Sequence, residues 1–256
     1  MSHHPPSTPI EAAYATVDAP APTHTIGQIA DYLVVGTSCF NYFAGGWLFL
    51  IGSILFYPRY TNLYDIAGEG PLIGGWLFLF GCVGFLIGSL IEVKNNRNAH
   101  KEGADWLRFI PITTSVSNVI GSILFVYGGV YFLPSYYAEN PSLGCYLFIA
   151  GCTVFSFAIF VDVPRMIRAN QPIFGLWTAV AVFNMAGNIL FIVGSYYFLP
   201  KFLFVEDVDA AADNLVYSTN IFVVGSITFI IAPLAQLAVL VHEYVVSAAA
   251  GKVVDV

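Results

Sequence analysis

Six long apolar stretches follow one another along the chain, and polar and charged residues gather between them. Each stretch is a continuous apolar run without alternation of apolar and polar positions, which favours helices over strands. Each also reaches or approaches the roughly 20 residues that a helix needs to cross a bilayer. The predicted spanning helices are residues 38–57, 72–93, 115–133, 143–161, 175–198 and 215–241.

Composition supports a membrane location. Of the 256 residues, 57% are hydrophobic and only 10% are charged, whereas a soluble domain carries about 25% charged residues. A chain of this composition could not cover its surface with polar groups in water. We therefore expect an all-α integral membrane protein whose principal partner is the lipid bilayer.

One short motif, small-x3-Phe-x2-Gly-small, recurs in every apolar stretch. Its clearest copies begin at Gly45 and Gly74. The first, third and fifth stretches end in Phe-x-Pro and are preceded by an asparagine, namely Asn41, Asn118 and Asn184. The second, fourth and sixth carry a polar residue eleven positions after the motif glycine. These shared patterns predict three copies of a two-helix unit.

The predicted arrangement is six transmembrane helices in three parallel two-helix repeats with pseudo-threefold symmetry. Because each unit has two spans, all three units insert in the same orientation. The boundaries are a disordered cytoplasmic tail at 1–35, repeats at 36–97, 113–170 and 178–245, linkers at 98–112 (cytoplasmic) and 171–177, and a C-terminal tail at 246–256.

The hairpin pattern Gly-x3-Phe-x2-Gly-Ser-x2-Phe, read from Gly45 to Phe56, resembles the YrhK-like domain, a small two-helix membrane module. The resemblance extends over all three predicted units. It implies a membrane fold and brings no catalytic residue with it.

Glycines of the motif predict close contact between helices. In lipid, helices associate through van der Waals contact, and small residues permit this contact. Three of the four cysteines, Cys82, Cys145 and Cys152, occupy similar positions and are interpreted as small packing residues. The predicted helix-packing glycines are Gly45, Gly52, Gly74, Gly81, Gly84, Gly88, Gly121, Gly128, Gly144, Gly151, Gly187, Gly194 and Gly225.

Three equivalent polar residues, Glu92, Asp162 and Gln236, lie at the ends of the second, fourth and sixth helices. They are the candidate pathway residues, since rings of acidic groups attract cations at the mouth of a pore. The alternative is that the helices simply end in water, with Lys94 and Arg165 as local ion-pair partners. For the recurring asparagines, and for Asn188 and Asn220 deeper in their helices, the two interpretations are hydrogen bonding between helices and the lining of a polar pathway.

Basic residues indicate the orientation. Lys94, Arg97, Lys101, Arg108, Arg165, Arg168 and Lys252 fall on one predicted side, and Arg59 and Lys201 on the other. The positive-inside rule then places both termini in the cytoplasm. Plasma membrane and internal membranes stay open as alternatives.

Two further segments are interpreted from composition. The run of Glu206, Asp207, Asp209 and Asp213 is read as a solvated acidic loop, because its spacing fits no calcium loop. Aromatic and apolar residues before the third and fifth helices are read as interfacial anchors; they are Trp106, Phe109, Ile110, Ile173, Phe174 and Trp177.

The sequence contains no phosphate loop, zinc motif or nucleophile elbow. We therefore expect no enzyme, no cofactor, no bound metal and no nucleic-acid partner. The leading interpretation is a structural or assembly component, with protein partners or self-association left open. The alternative is a channel or transporter for protons, cations or a small solute along the axis. A bundle axis filled by Phe and Leu would favour the first interpretation, and an open polar axis the second.

Overall fold

The computed structural model describes the backbone of residues 26–97, 105–169, 172 and 174–250, and the side chains from 32 to 246 within those ranges. The helices are α1 (Ile26–Leu55), α2 (Glu69–Asn96), α3 (Ile110–Tyr131), α4 (Pro134–Glu139), α5 (Leu143–Arg168), α6 (Leu176–Tyr197), α7 (Pro200–Leu203) and α8 (Val208–Ala250). Six of them, all but α4 and α7, are long and apolar enough to cross a membrane. The prediction of an all-α membrane protein with six spanning helices is confirmed.

Prolines mark the connections at one end of the bundle. Pro58 begins a short 3₁₀ helix (Pro58–Tyr60), while Pro134 and Pro200 begin α4 and α7. Proline suits the first turn of a helix because the N–H that it lacks would have no partner there. After the first of these turns, a two-residue hairpin pairs β1 (Asn62–Leu63) with β2 (Ile66–Ala67).

Two helices are longer than the apolar pattern predicted. α1 begins at Ile26, so the predicted tail at 1–35 is wrong for residues 26–35. No proline interrupts the chain from Ile26 to Leu55, and helical hydrogen bonding therefore continues beyond the apolar run. α8 has 43 residues, or about 65 Å at 1.5 Å per residue, and extends past both edges of the predicted span. Residues 1–25, 98–104, 170, 171, 173 and 251–256, with the tail and linker predictions on them, lie outside the described residues.

The predicted acidic loop before the last helix is instead largely a helix start. Asp207 Oδ1 accepts the backbone N–H groups of Asp209 at 3.0 Å and Ala210 at 3.2 Å. Asp209 and Asp213 lie within α8 itself. A carboxylate at this position satisfies backbone donors that have no partner in the first turn.

The six long helices pack in a closed ring. α1 contacts α2, and the contacts continue from α2 to α3, α5, α6 and α8 and back to α1. At the closing contact, the rings of Tyr32 and Tyr244 lie 5.0 Å apart, so the start of α1 meets the last part of α8. We call this end of the bundle the basic end, since its described residues include Lys94, Arg97, Arg108, Arg165 and Arg168. The opposite end, with Pro58, Pro134 and Pro200, is the proline end.

Twelve phenylalanines from all six helices fill the middle of the ring, and none is more than 8% exposed. The motif phenylalanines of α1, α3 and α6 meet directly: Phe49 lies 6.1 Å from Phe125 and 5.5 Å from Phe191 between ring centroids. One layer of rings lies nearer the proline end, and another lies nearer the basic end. This phenylalanine core consists of Phe49, Phe56, Phe78, Phe85, Phe125, Phe132, Phe148, Phe155, Phe191, Phe198, Phe222 and Phe229.

Each core ring that lies at a motif position rests against a glycine of the neighbouring helix. A Cβ added to Gly52 would lie 2.7 Å from a ring carbon of Phe78 and 3.0 Å from the carbonyl oxygen of Gly74. The reverse contact places the Phe49 ring against Gly81. Because real Cβ atoms do not approach this closely, the spacing between the helices depends on the missing side chains. The other predicted packing glycines also contact a neighbouring helix.

The outer surface of the ring is apolar. Large side chains such as Phe40, Trp76, Phe80 and Phe160 are between 44% and 66% exposed. On a water-soluble protein, such a surface would drive aggregation. On six helices of spanning length it is the expected contact surface for lipid chains.

Replacing Gly52 with alanine should lower the thermal stability of the purified protein in detergent. The new methyl group would force α1 away from Phe78 and Gly74, and overpacking of this kind costs about 1–3 kcal/mol. The melting temperature, followed by circular dichroism or tryptophan fluorescence, measures the effect.

Gly36→Ala is the matched control on the same helix. An added Cβ there would lie 3.8 Å from Leu240, an ordinary contact, and alanine favours a helix by about 1 kcal/mol over glycine. This variant should melt at or above the wild-type temperature. Equal melting of Gly52→Ala and wild type would contradict the interlocked packing.

Candidate functional site

A polar cavity of about 430 Å³ lies between the phenylalanine core and the basic end. Its floor is the layer of rings nearest the basic end, formed by Phe85, Phe155 and Phe229. All six long helices contribute to its wall. The axis of the bundle is therefore closed on the proline side and polar on the basic side.

The wall is built from positions that are equivalent in the three sequence units. Residues at the same distance in sequence from a motif phenylalanine lie at the same depth in the cavity, and each unit contributes one residue at each depth. The floor is one such level, and two more lie above it. These levels are Phe85, Phe155 and Phe229; Tyr42, Asn118 and Asn184; and Glu92, Asp162 and Gln236.

The three candidate pathway residues thus lie on one cavity, but their surroundings differ. Asp162 pairs with Arg165, whose Nε lies 2.7 Å from Asp162 Oδ1. Glu92 accepts a hydrogen bond from Asn118 Nδ2 at 3.2 Å across the contact of α2 with α3. Within the described part of the chain, Lys94 forms no ion pair with Glu92, contrary to the local pairing that the sequence suggested.

The recurring asparagines do not form one equivalent set. Asn118 and Asn184 lie seven positions before the motif phenylalanines of their own helices. In the first helix, Tyr42 holds that position before Phe49, and Asn41 lies one residue earlier. Asn41 donates to the carbonyl of Thr37 in its own helix at 2.8 Å. Tyr42 takes its place on the cavity wall. The interpretation of Asn41 as an adhesive residue between helices is therefore wrong.

The side of the cavity formed by α1, α2 and α3 is connected by hydrogen bonds between helices. Tyr42 Oη lies 3.0 Å from Ser89 Oγ, which lies 2.9 Å from Ser122 Oγ. Ser38 Oγ donates to the carbonyl of Gly88 at 3.0 Å. Glu92 bonds with Asn118 and also with the hydroxyls of Tyr42 and Ser38, and this joins the contacts into a continuous polar network.

On the opposite side, one deeply buried polar group lacks a partner. Asn188 on α6 is only 1% exposed, and its Oδ1 has no hydrogen-bond donor among the described residues. Thr114 Oγ1, on the networked side, also has no hydrogen-bond partner among the described residues. The sequence pointed to Asn188 only as a deep asparagine suited to helix packing. Asn188 lies at the level of the phenylalanine floor because of the rotation of α6 about its own axis. No local sequence pattern predicts this rotation.

One predicted anchor is also part of the wall. Trp177 is partly buried and lines the cavity. Trp106 and Phe109, in a 3₁₀ helix before α3, are 63% and 45% exposed at the basic end, and Phe174 is fully exposed. Ile110 is buried, so it does not act as an exposed anchor, and Ile173 lies outside the described residues.

The described residues contain no group of three or more His, Cys, Asp and Glu side chains that could hold a metal ion. All four cysteines are buried and unpaired. What the cavity offers is carboxylate and amide groups above an aromatic floor. Such a site can hold a polar molecule by hydrogen bonds and charge.

Comparison with known families identifies two segments of the chain. The family model described as YrhK-like protein matches residues 36–96 and residues 176–241. The chain belongs to the YrhK-like family. Neither a curated protein nor a solved structure matches it.

The two YrhK-like segments coincide with pairs of packed helices. Residues 36–96 cover most of α1 and all of α2, and residues 176–241 cover α6 and most of α8. Together with the six apolar helices, the match establishes a multi-pass membrane protein of the YrhK-like family. It also places the motif phenylalanines Phe49, Phe78, Phe191 and Phe222 within the family segments.

Asn118→Ala should lower the melting temperature of the purified protein modestly. The change removes the donor that bonds Glu92 from the next helix, and such bonds in membranes contribute about 0.6–2 kcal/mol. Asn41→Ala serves as the control, since it removes a bond within one helix only and should melt like wild type. If Asn41→Ala melted at a lower temperature than Asn118→Ala, the assignment of Tyr42 rather than Asn41 to the cavity wall would be contradicted.

Proposed function

We propose that this YrhK-like protein is a non-enzymatic, sealed membrane bundle that acts as a structural or assembly component. The observation that carries the proposal is the phenylalanine core, whose rings occupy the axis between the proline end and the polar cavity. Ring centroids 5 to 6.5 Å apart leave no continuous path for water or an ion, as the contacts of Phe49, Phe125 and Phe191 illustrate.

The proposed architecture is three two-helix units around a common axis. Three arguments support it: the motif recurs in all six spans, each predicted hairpin is also a packed pair of helices, and equivalent positions share each level of the cavity. The family match covers the first and third units. The second unit, residues 113–170, is assigned to the same type on its motif and its packing.

The proposed orientation follows from charge. The basic end would face the cytoplasm, since cytoplasmic loops of membrane proteins are enriched in Lys and Arg. Both termini would then lie in the cytoplasm, and the polar cavity would open to the same compartment. The proline end, with Arg59 and Lys201 as its only basic residues in the described chain, would face the other side.

A second candidate, a channel or transporter, has one observation in its favour. The cavity places Glu92 and other polar groups on the axis for part of the thickness of the membrane, as half of a transport pathway would. To conduct, the phenylalanine core would have to open, and its rings pack at the closest points of helix contact. We therefore favour the sealed bundle.

Proton and potassium fluxes into proteoliposomes decide between these functions. We expect liposomes that contain the folded protein to be as tight as protein-free liposomes, because the core closes the axis. A known ionophore added at the end establishes that the assay detects a leak. Circular dichroism and protease protection on the same sample verify that the protein is folded and inserted.

A matched pair of variants controls for the role of the carboxylates. Flux through wild type that is lost in the double variant Glu92→Gln/Asp162→Asn would establish a conducting path and overturn the sealed bundle. Glu206→Gln/Asp207→Asn, at the proline end, makes the same change of charge away from the cavity. Loss of flux in this second pair as well would point to a nonspecific effect of charge and would leave no defined path.

A further inference from the structure

We propose that the polar cavity binds a small protonated primary amine with an apolar body. The ammonium group would bond with Glu92, and the apolar body would lie on the phenylalanine floor. This binding goes beyond the sealed structural role and does not depend on it, since the cavity ends at the floor.

The first argument is an uncompensated carboxylate. Glu92 lies within a spanning helix and is partly buried. Its hydrogen-bond partners at the cavity are all neutral, namely the amide of Asn118 and the hydroxyls of Tyr42 and Ser38, and no described Lys, Arg or His forms an ion pair with it. Carboxylates inside membrane spans are costly unless a partner compensates them. Asp162, at the equivalent position, has such a partner in Arg165.

The second argument, independent of the first, is a buried acceptor without a donor. Asn188 is 1% exposed, and its Oδ1 has no partner among the described residues. Buried polar atoms are almost always hydrogen-bonded, and an unpaired one is unfavourable. This oxygen is a second acceptor on the cavity, at the level of the floor, so the cavity as a whole favours a ligand that donates hydrogen bonds over one that only accepts them. The equivalent position in the second unit, Ser122, already has a partner in Ser89.

The size and lining of the cavity favour an organic cation over a bare ion. A volume of about 430 Å³ falls within the range of about 300–1,000 Å³ of small-molecule sites. The floor consists of Phe85, Phe155 and Phe229, and Trp177 adds a further ring to the wall. Aromatic faces take up apolar groups and also attract cations.

The spacing along α2 suits an amine of modest length. Glu92 follows Phe85 by seven residues, which corresponds to about 10 Å along a helix. A phenyl ring joined to an ammonium group by a short chain can therefore contact both levels. An anion would be disfavoured, because Glu92, Asp162 and Glu243 line the cavity against the single guanidinium of Arg165.

Isothermal titration calorimetry with 2-phenylethylammonium chloride tests the proposal on the full-length protein in nanodiscs near pH 7. Heats from protein-free nanodiscs are subtracted to remove partitioning into lipid. We expect saturable binding at one site. The neutral analogue 2-phenylethanol and the anion 3-phenylpropionate should show none, and sodium chloride at equal concentration should not compete.

Two variants and one control assign the site. Glu92→Gln should raise the dissociation constant about tenfold or more, since it removes a charge-assisted bond. Asn188→Ser, which introduces the residue found at the equivalent position in the second unit, should change it by less than about threefold, because the apolar body and not the ammonium group lies at the level of Asn188. Glu206→Gln removes an exposed carboxylate at the proline end and should bind the amine like wild type.

Three results would overturn the proposal. The first is absence of saturable binding to folded wild type at about 10 mM amine, well above the dissociation constant of a weak 1 mM site. The second is equal affinity for 2-phenylethanol. The third is unchanged affinity in Glu92→Gln at an unchanged melting temperature. The flux experiment on the sealed bundle is unaffected by any of them, so the two proposals fail separately.

Discussion

Contact between a phenylalanine ring on one helix and a glycine on its neighbour holds this bundle together. Lipid chains are as apolar as leucine, so helices in a bilayer gain little from burying apolar side chains against each other. They gain from close van der Waals contact, and a ring seated on a bare backbone maximises it. The reciprocal contacts of Phe49 with Gly81 and of Phe78 with Gly52 fix both the separation and the register of α1 and α2.

This interlock also determines what lies on the axis. The rings that fill the grooves between paired helices are long enough to meet those of the other pairs, as the 5.5 Å separation of Phe49 and Phe191 shows. The same phenylalanine rings therefore pack the helices together and close the axis of the bundle. Towards the basic end the inward-facing positions of the helices carry polar residues in place of phenylalanine. The interior there is a cavity.

Positions that the sequence pattern makes equivalent carry different side chains around that cavity. The Tyr42, Asn118 and Asn184 level, and the Glu92, Asp162 and Gln236 level, keep polar character but not chemical identity. On one side the substitutions complete a hydrogen-bonded network between α1, α2 and α3. On the other, they leave the Asn188 carbonyl oxygen unpaired. The two sides of the cavity therefore differ in how fully their polar groups are hydrogen-bonded.

Much of this architecture could be predicted because it depends on local patterns. The number and class of the helices follow from apolar runs of spanning length, and the positions of the packing glycines follow from their spacing relative to Phe. Details that change with a shift of one residue along a helix were harder to predict. Asn41 looked equivalent to Asn118, yet a shift by a single position turns a side chain by 100° on a helix, and Tyr42 lines the cavity instead. The start of α1 at Ile26 was missed because polar residues can continue a helix beyond the membrane.

The chain alone establishes six apolar helices, their small-residue faces and the polar positions near their ends, since each of these is a property of consecutive residues. Tertiary packing decides which of those polar groups meet. Asp162 is neutralised by Arg165 three residues away, a pairing that the sequence suggested. The bond of Glu92 to Asn118 and the missing partner of Asn188 arise only when α2, α3 and α6 take their relative rotations, because hydrogen bonding between helices depends on distances and angles that no single helix contains.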